Sequence, residues 1–462
     1  MNPALRLALL MAALGSCSIP APARAAEDRP ETKPPAVSIS DRYAAILAEY
    51  EAEDSRFRLA LAKIETQAEA NEVARSSRPD MLAFCRRMNE LAATDPSSTA
   101  ARDALIWVVD QPGQFDQGRY GDEFARASAL LVRHHGDDPR AIEVGLGLNN
   151  AVTGHRDALV FGFLAAAKGR ESMGLARLVV ARYLVEKAKF ARGTRSMKAG
   201  HKYKFKNVIG LDGKPHDQEV EQTAEEYANI LLLRQVDPDA LRAEAERLFE
   251  EVASDYSDVV HVSAKVRKLE ALAKQPNPTW QGKSLSDAER RQLAAIVGRK
   301  APTLGELARA RLDDLQNLAV GKAAPEIDGV DFDGKPLKLS DHKGKVVALV
   351  FWGTWCGPCM AEIPRERDLV DRLKGKPFAL LGVNCDADKP AAIKALASER
   401  ITWPNWHDGG PESGPIVARY HVRSFPTVLV LDAQGLIRFK DLHGDAIDQA
   451  VDNLLGEMPP QP

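Results

Sequence analysis

Between Asp41 and Val320 apolar residues recur at three- and four-residue spacing, and after Val320 they gather into short, dense runs. The first pattern gives each segment one apolar stripe and predicts helices. Asp41-Arg42-Tyr43 opens a long helix whose stripe runs through Tyr50, Phe57, Leu61 and Ile64. Segments 99–109, 123–133, 140–149, 175–190, 240–252 and 304–318 read the same way. Asp-Pro at Asp95-Pro96, Asp138-Pro139 and Asp237-Pro238 predicts helix starts, since proline fits a first helical turn. The offsets between segments are not constant, so no strict repeat is established and an α-hairpin array stays open.

The helical signal fails between Gly193 and Gln218. Tyr203-Lys204-Phe205-Lys206 alternates aromatic and basic residues and Asp212-Gly213 is a turn signal, which predicts an exposed loop or small hairpin. Its lysines read as a solvated edge in preference to a partner-docking patch. Pro276 and Pro278 mark another irregular connection.

After Val320 the period changes. Residues 345–352, Lys-Val-Val-Ala-Leu-Val-Phe-Trp, are apolar, β-branched and aromatic, as expected of a strand buried on both faces. Residues 360–373 read as an amphipathic helix, 378–384 as a strand, 391–399 as a helix, 427–431 and 436–440 as strands about Asp432-Ala433-Gln434-Gly435, and 446–455 as a closing helix. The predicted fold is therefore multidomain: a mostly α-helical region over 41–320, then an α/β domain over 321–462 with a central mixed sheet and helices on both faces.

The chain has 462 residues, enough for two or three domains with real cores. Its net charge of −3 argues against a nucleic-acid partner, which would require a basic field. Five cysteines, two of them in one motif, do not make a disulfide-stapled scaffold. At the N-terminus, Arg6 near the start of apolar residues 4–14 predicts an export signal within 1–25, too short for a stable membrane span. Two cleavage readings stand side by side. Ala23-Arg24-Ala25 fits the small-x-small rule, whereas Leu14-Gly15-Ser16-Cys17 resembles a lipobox that would make Cys17 a lipidated first residue and the sole membrane contact. Residues 26–40, rich in proline, alanine and charge, read as a flexible linker. The expected location is extracytoplasmic, in a bacterial periplasm or cell envelope.

The candidate chemistry lies in Trp355-Cys356-Gly357-Pro358-Cys359, between the first strand and the helix that follows. A thiol at the start of a helix meets unpaired N–H groups and the positive end of the macrodipole, which favour its thiolate. Cys356 is thus the expected nucleophile and Cys359 its partner in a small disulfide, with Gly357 and Pro358 shaping the turn. Half a zinc site is the competing reading, but no second Cys-x-x-Cys or paired histidine motif accompanies it, so no metal and no cofactor is expected. Cys85 reads as a core thiol, and Cys385, at the end of a strand, as a structural thiol in preference to a third redox cysteine.

These residues carry a resemblance. Trp355 to Cys359 is the thioredoxin active-site sequence, and its continuation Met360-Ala361-Glu362-Ile363-Pro364 resembles the TlpA/ResA branch of thiol–disulfide oxidoreductases. The likeness extends to Gly321-Lys322-Ala323-Ala324-Pro325-Glu326-Ile327 and to Tyr420-His421-Val422-Arg423-Ser424-Phe425-Pro426-Thr427, about the last third of the chain. It implies a thioredoxin-like fold, a cis peptide before Pro426 that exposes backbone at Phe425 for pairing with substrate, and a Trp355 that covers the dithiol and contacts substrate. Thioredoxins carry a buried aspartate two residues before the strand tryptophan, where this chain has Val350. Glu362, which can share a helix face with Cys359, becomes the candidate proton acceptor.

Gly-Pro between the cysteines resembles the reducing thioredoxin pair, so the expected activity is reduction of disulfides in exported proteins, with electrons from a membrane donor of the DsbD/CcdA type. Two other classes are alternatives. One is a helical interaction scaffold carrying a redox tail. The other is a thiol peroxidase, which would require a Pro-x-x-x-Thr-x-x-Cys arrangement that Gly353-Thr354-Trp355 does not provide.

Overall fold

A computed structural model describes residues 37–111, 117–148, 154–193, 198–200, 202–209, 215–222, 224–280, 283–410 and 414–459. Cys17 and both cleavage readings lie outside them, as do residues 1–36 in general. The chain is mostly helical to Leu318 and then forms a thioredoxin-like α/β domain with a central mixed sheet.

The helical region begins with Ile39–Leu61 (α1), Gln67–Ser77 (α2), Met81–Thr94 (α3), Thr99–Val109 (α4), Gln117–His135 (α5) and Pro139–Glu143 (α6). Gly154–Ala166 (α7) and Arg170–Gly193 (α8) follow. A hairpin of Lys202–Ile209 (β1) and Pro215–Glu221 (β2) then occupies the stretch where helical periodicity fails. Beyond it come Ala224–Arg234 (α9), Pro238–Asp255 (α10) and Ala264–Ala273 (α11), a two-residue pair Thr279–Trp280 (β3) with Lys283–Ser284 (β4), Asp287–Val297 (α12) and Leu304–Asn317 (α13). One core, centred on Leu105, Leu131, Phe163, Leu175, Leu178 and Phe249, unites helices α3 to α8 with α10 and α13.

Local chemistry explains where the helices start. Ser38 Oγ accepts from Asp41 N, Asp138 and Asp237 cap α6 and α10 with proline at the first turn, and Thr66 and Thr303 each form a reciprocal capping box with Glu69 and Glu306. Three expectations are corrected. The single helix expected through Ile64 ends at Leu61, and α2 restarts six residues later at the Thr66 cap. Asp95-Pro96 lies in the turn after α3, and the next helix is capped by Ser98. The helix expected over 140–149 is also shortened, becoming a 3-10 turn at Val144–Gly147. A Cβ on Gly145 would lie 2.3 Å from Val179 Cγ1, so this segment runs close to α8.

The α/β domain contains Asp328–Val330 (β5), Pro336–Lys338 (β6), Val346–Trp352 (β7), Gly357–Arg372 (α14), Phe378–Asn384 (β8), Lys389–Ser398 (α15) and Asn405–His407 (β9). It closes with Pro415–Arg419 (α16), Thr427–Leu431 (β10), Ile437–Lys440 (β11) and Asp445–Glu457 (α17). The sheet order is β11-β10-β7-β8-β9, with β7, β8 and β9 parallel, and β10 antiparallel to both β7 and β11. Every residue of β7 is buried. Val346, Ala348, Val350 and Trp352 pack with α14 and α17, while Val347, Leu349 and Phe351 pack on the other face with Trp406 and Tyr420. That two-sided burial is why β7 reads as a continuous apolar run.

At the edge of the first face, Trp352 Nε1 donates to Asn405 Oδ1 at 2.8 Å in a buried setting. Gly382 makes room for it, since a Cβ there would lie 1.7 Å from Asn405 Oδ1. The two regions also meet. Leu318 joins the core containing Ile327, Tyr420 and Ile437, while Asp313 of α13 pairs with His421 Nε2 at 2.6 Å and Asp314 with Lys440 Nζ at 2.8 Å.

Candidate active site

Strand β7 ends at Trp352, and Gly353, Thr354 and Trp355 carry the chain to the first turn of α14. Cys356 is the N-cap of this helix and Gly357 and Pro358 fill its first two positions, both exposed. Cys356 and Cys359 form a disulfide with S–S 2.04 Å and Cα–Cα 5.2 Å. Cys359 N donates to Cys356 Sγ at 3.1 Å, so a backbone donor and a helix N-terminus both face the sulfur on which negative charge would develop. The sulfurs are nearly enclosed: Cys356 is 5% and Cys359 2% exposed.

Trp355, by contrast, is 51% exposed and stands edge-on to Phe425 with ring centroids 5.0 Å apart. Gly353 permits this pose, because a Cβ there would lie 2.6 Å from the indole nitrogen. The Phe425–Pro426 peptide bond is cis, as the resemblance implies. Trp355, Phe425, Arg423 and His421 line an open cleft of about 540 Å³.

Two groups that shape the site escaped the sequence reading. Asp386, buried just after β8, accepts from Thr354 N at 3.1 Å and from Thr354 Oγ1 at 2.7 Å, and Asn384 Nδ2 donates to it at 2.7 Å. A desolvated carboxylate held by three donors fixes the loop that presents Trp355 and Cys356. Its only sequence signal is its place at the carboxyl end of a parallel strand.

The second is Glu366. Glu362 is half-buried one turn after Cys359, and Glu366 lies a further turn along the same helix face and is buried. Burial, and then the neighbouring Glu362 carboxylate, push the Glu366 carboxyl up to about 8. Glu366 therefore carries its proton at neutral pH. The spacing Cys359, Glu362, Glu366 was visible in the sequence, but the burial that separates the two glutamates was not.

The remaining described thiols are inert. Cys85 packs in the helical core, where burial, then Glu123 and Asp80, push its thiol up to about 12. Cys385 is fully buried behind β8, and burial, then Asp408 and Asp386, drive it well above the ordinary thiol range. After reduction at pH 8, iodoacetamide should label Cys356 first and leave Cys85 and Cys385 unmodified until the protein is denatured, as read by peptide mass mapping.

The chemistry this arrangement supports is exchange between a dithiol and a disulfide, and the class it defines is that of the thioredoxin-like thiol–disulfide oxidoreductases. Comparison with known proteins narrows the class. Residues 319–455 match the Redoxin family. Over 145 residues the chain is 30% identical to thiol-disulfide oxidoreductase ResA of Bacillus thuringiensis subsp. konkukian, covering 31% of this chain and 82% of the relative. ResA of Geobacillus kaustophilus is 33% identical over 121 residues, 26% of this chain and 68% of the relative. Through this domain the chain belongs to the ResA-type thiol–disulfide oxidoreductases. Among solved structures, the thioredoxin domain of a thiol-disulfide oxidoreductase from Bacteroides vulgatus is 29% identical, covers 30% of this chain and 99% of its own, and has a TM-score of 0.29. These matches cover only the C-terminal part of the chain, and the helices from α1 to α13 fall outside them.

Proposed function

We propose that the protein reduces disulfides of exported proteins outside the cytosol. The observation that carries this reading is the Cys356–Cys359 disulfide at the start of α14, preceded by an exposed Trp355 that lines an open cleft together with Phe425. The Gly357-Pro358 dipeptide supports the reducing direction, and the apolar segment 4–14 supports export. Lipid attachment at Cys17 would place the protein on a membrane surface.

In the working cycle, reduced Cys356 attacks one sulfur of a substrate disulfide as its thiolate. The Cys356–substrate S–S bond forms, the substrate S–S bond breaks, and the departing substrate thiolate takes a proton. Cys359 then loses its proton and attacks Cys356 Sγ. This closes the Cys356–Cys359 disulfide and releases the second substrate sulfur, which is protonated as a thiol. Two electrons pass to the substrate and the enzyme is left oxidised. Glu362, on the Cys359 face of α14, takes the proton Cys359 gives up, and the proton on Glu366 keeps that pair of carboxyls from both being charged. A dithiol donor of the DsbD/CcdA type in the membrane would restore the reduced state.

The test is the equilibrium redox potential of the Cys356–Cys359 pair, titrated against dithiothreitol and followed by the fluorescence of Trp355. A value close to about −270 mV is expected, whereas one near about −120 mV would make the protein a disulfide-forming enzyme.

A further inference from the structure

Arg182 on α8, Arg311 on α13 and Arg423 in the loop before Pro426 come from three elements and both regions of the chain, yet stand close enough for their charges to repel. Arg182 and Arg311 line a cleft of about 210 Å³ together with Glu186, Lys189 and Asp314. Its two carboxylates form their ion pairs with lysines, Glu186 with Lys189 at 3.2 Å and Asp314 with Lys440 at 2.8 Å, and offset only part of the arginine charge, Glu186 acting on Arg182 and Asp314 on Arg423. The three guanidinium groups have no hydrogen-bond or ion-pair partner among the described residues, and the buried Nε of Arg311 is left unsatisfied. Burial, then Arg311 and Arg423, push the Arg182 guanidinium down to about 10.

Arg182 and Arg311 are half-buried in this cleft and Arg423 is exposed near them; like charges gathered in this way favour an anion among them, and a guanidinium fork suits a carboxylate in two-pronged fashion. Arg423 ties this cleft to the redox centre, because it also lines the larger cleft formed with Trp355 and Phe425. A chain lying there advances by about 3.3–3.6 Å per extended residue, so an acidic side chain some residues from its cysteine can reach the arginines.

We propose that Arg182, Arg311 and Arg423 form an anion site that holds an acidic side chain of the substrate polypeptide near its target disulfide. The helical region is then a specificity element, supplying two of the three cations. This rests on the reductase reading above, so the test separates the two. The full chain, recycled by dithiothreitol, is given two series of disulfide-linked peptides that differ only in a Glu-Glu or Gln-Gln pair placed three to six residues from the cysteine, on either side.

At low salt, the best-placed Glu-Glu peptide should show a KM about tenfold below that of its Gln-Gln counterpart, with kcat similar for the two. The ratio should shrink as salt rises and fall to about one in Arg182→Gln and Arg311→Gln. Equal KM values in the wild-type enzyme at every position overturn the proposal without calling on any variant, and a preference that survives both substitutions overturns its assignment to these residues. If no peptide of either series is reduced faster than by dithiothreitol alone, the reductase reading fails and this inference fails with it.

Discussion

Cys359→Ser turns the enzyme into a trap. With Cys356 still able to attack, a substrate disulfide should open once and remain covalently attached, giving a complex that survives a non-reducing gel and disappears on adding dithiothreitol. Multiple-turnover reduction should drop by about 10³-fold or more, because resolution by a thiol held one helical turn away is replaced by attack from solution. Cys356→Ser should lose turnover to the same extent and form no complex. The asymmetry follows from the geometry: Cys356 caps α14 next to the exposed Trp355 and accepts from Cys359 N, while Cys359 lies inside the first turn of the helix. A trapped complex through Cys359 in the Cys356→Ser variant, with none in Cys359→Ser, would reverse the two roles. Peroxide turnover that persists in Cys359→Ser would restore the peroxidase reading.

Glu366 gives the second large effect, this time on stability. Burial, and then the Glu362 carboxylate, push its carboxyl up to about 8 in the folded chain, against 4.5 for an exposed glutamate such as the unfolded chain presents. Between these values the folded state binds more protons than the unfolded state, so stability falls as pH rises. The contribution is fully present below about pH 4.5 and is lost by about pH 8, for a total of roughly 3–5 kcal/mol. Glu366→Gln keeps the shape and removes the titration. Urea unfolding followed by tryptophan fluorescence should therefore show the variant gaining on the wild type as pH goes from 5 to 8. A wild-type-minus-variant difference that stays flat over this range would mean that Glu366 is not desolvated as described.

The same residue shows where the reading of a helix from its sequence stops. Spacing places Cys359, Glu362 and Glu366 on one face, and the likeness to ResA-type proteins drew attention to Glu362 alone. Which of two glutamates on a face is dehydrated depends on what packs against the helix, and α14 packs with β7 and with β8 and α17, the last of which is remote in the chain. Helix boundaries show the limit on a smaller scale. Asp-Pro marks two of the three expected starts, but at Asp95-Pro96 the chain is still turning and Ser98 provides the cap.

What the sequence determined by itself was local in origin. Alternating environments on two buried faces made β7 a continuous apolar run, helical periodicity marked most of the region before Leu318, and Cys-Gly-Pro-Cys after a strand placed two thiols at a helix start. Each signal depends on residues within a few positions of one another, which is the range over which backbone geometry and side-chain type are coupled. Only the tertiary structure decided the rest: Asp386 reaching back to Thr354, Trp355 meeting Phe425, and three arginines converging from α8, α13 and the loop before Pro426. Through-space charge and burial belong to positions 32 to 241 residues apart here, as the pairs Thr354–Asp386 and Arg182–Arg423 show, and no local pattern of polar and apolar residues encodes them.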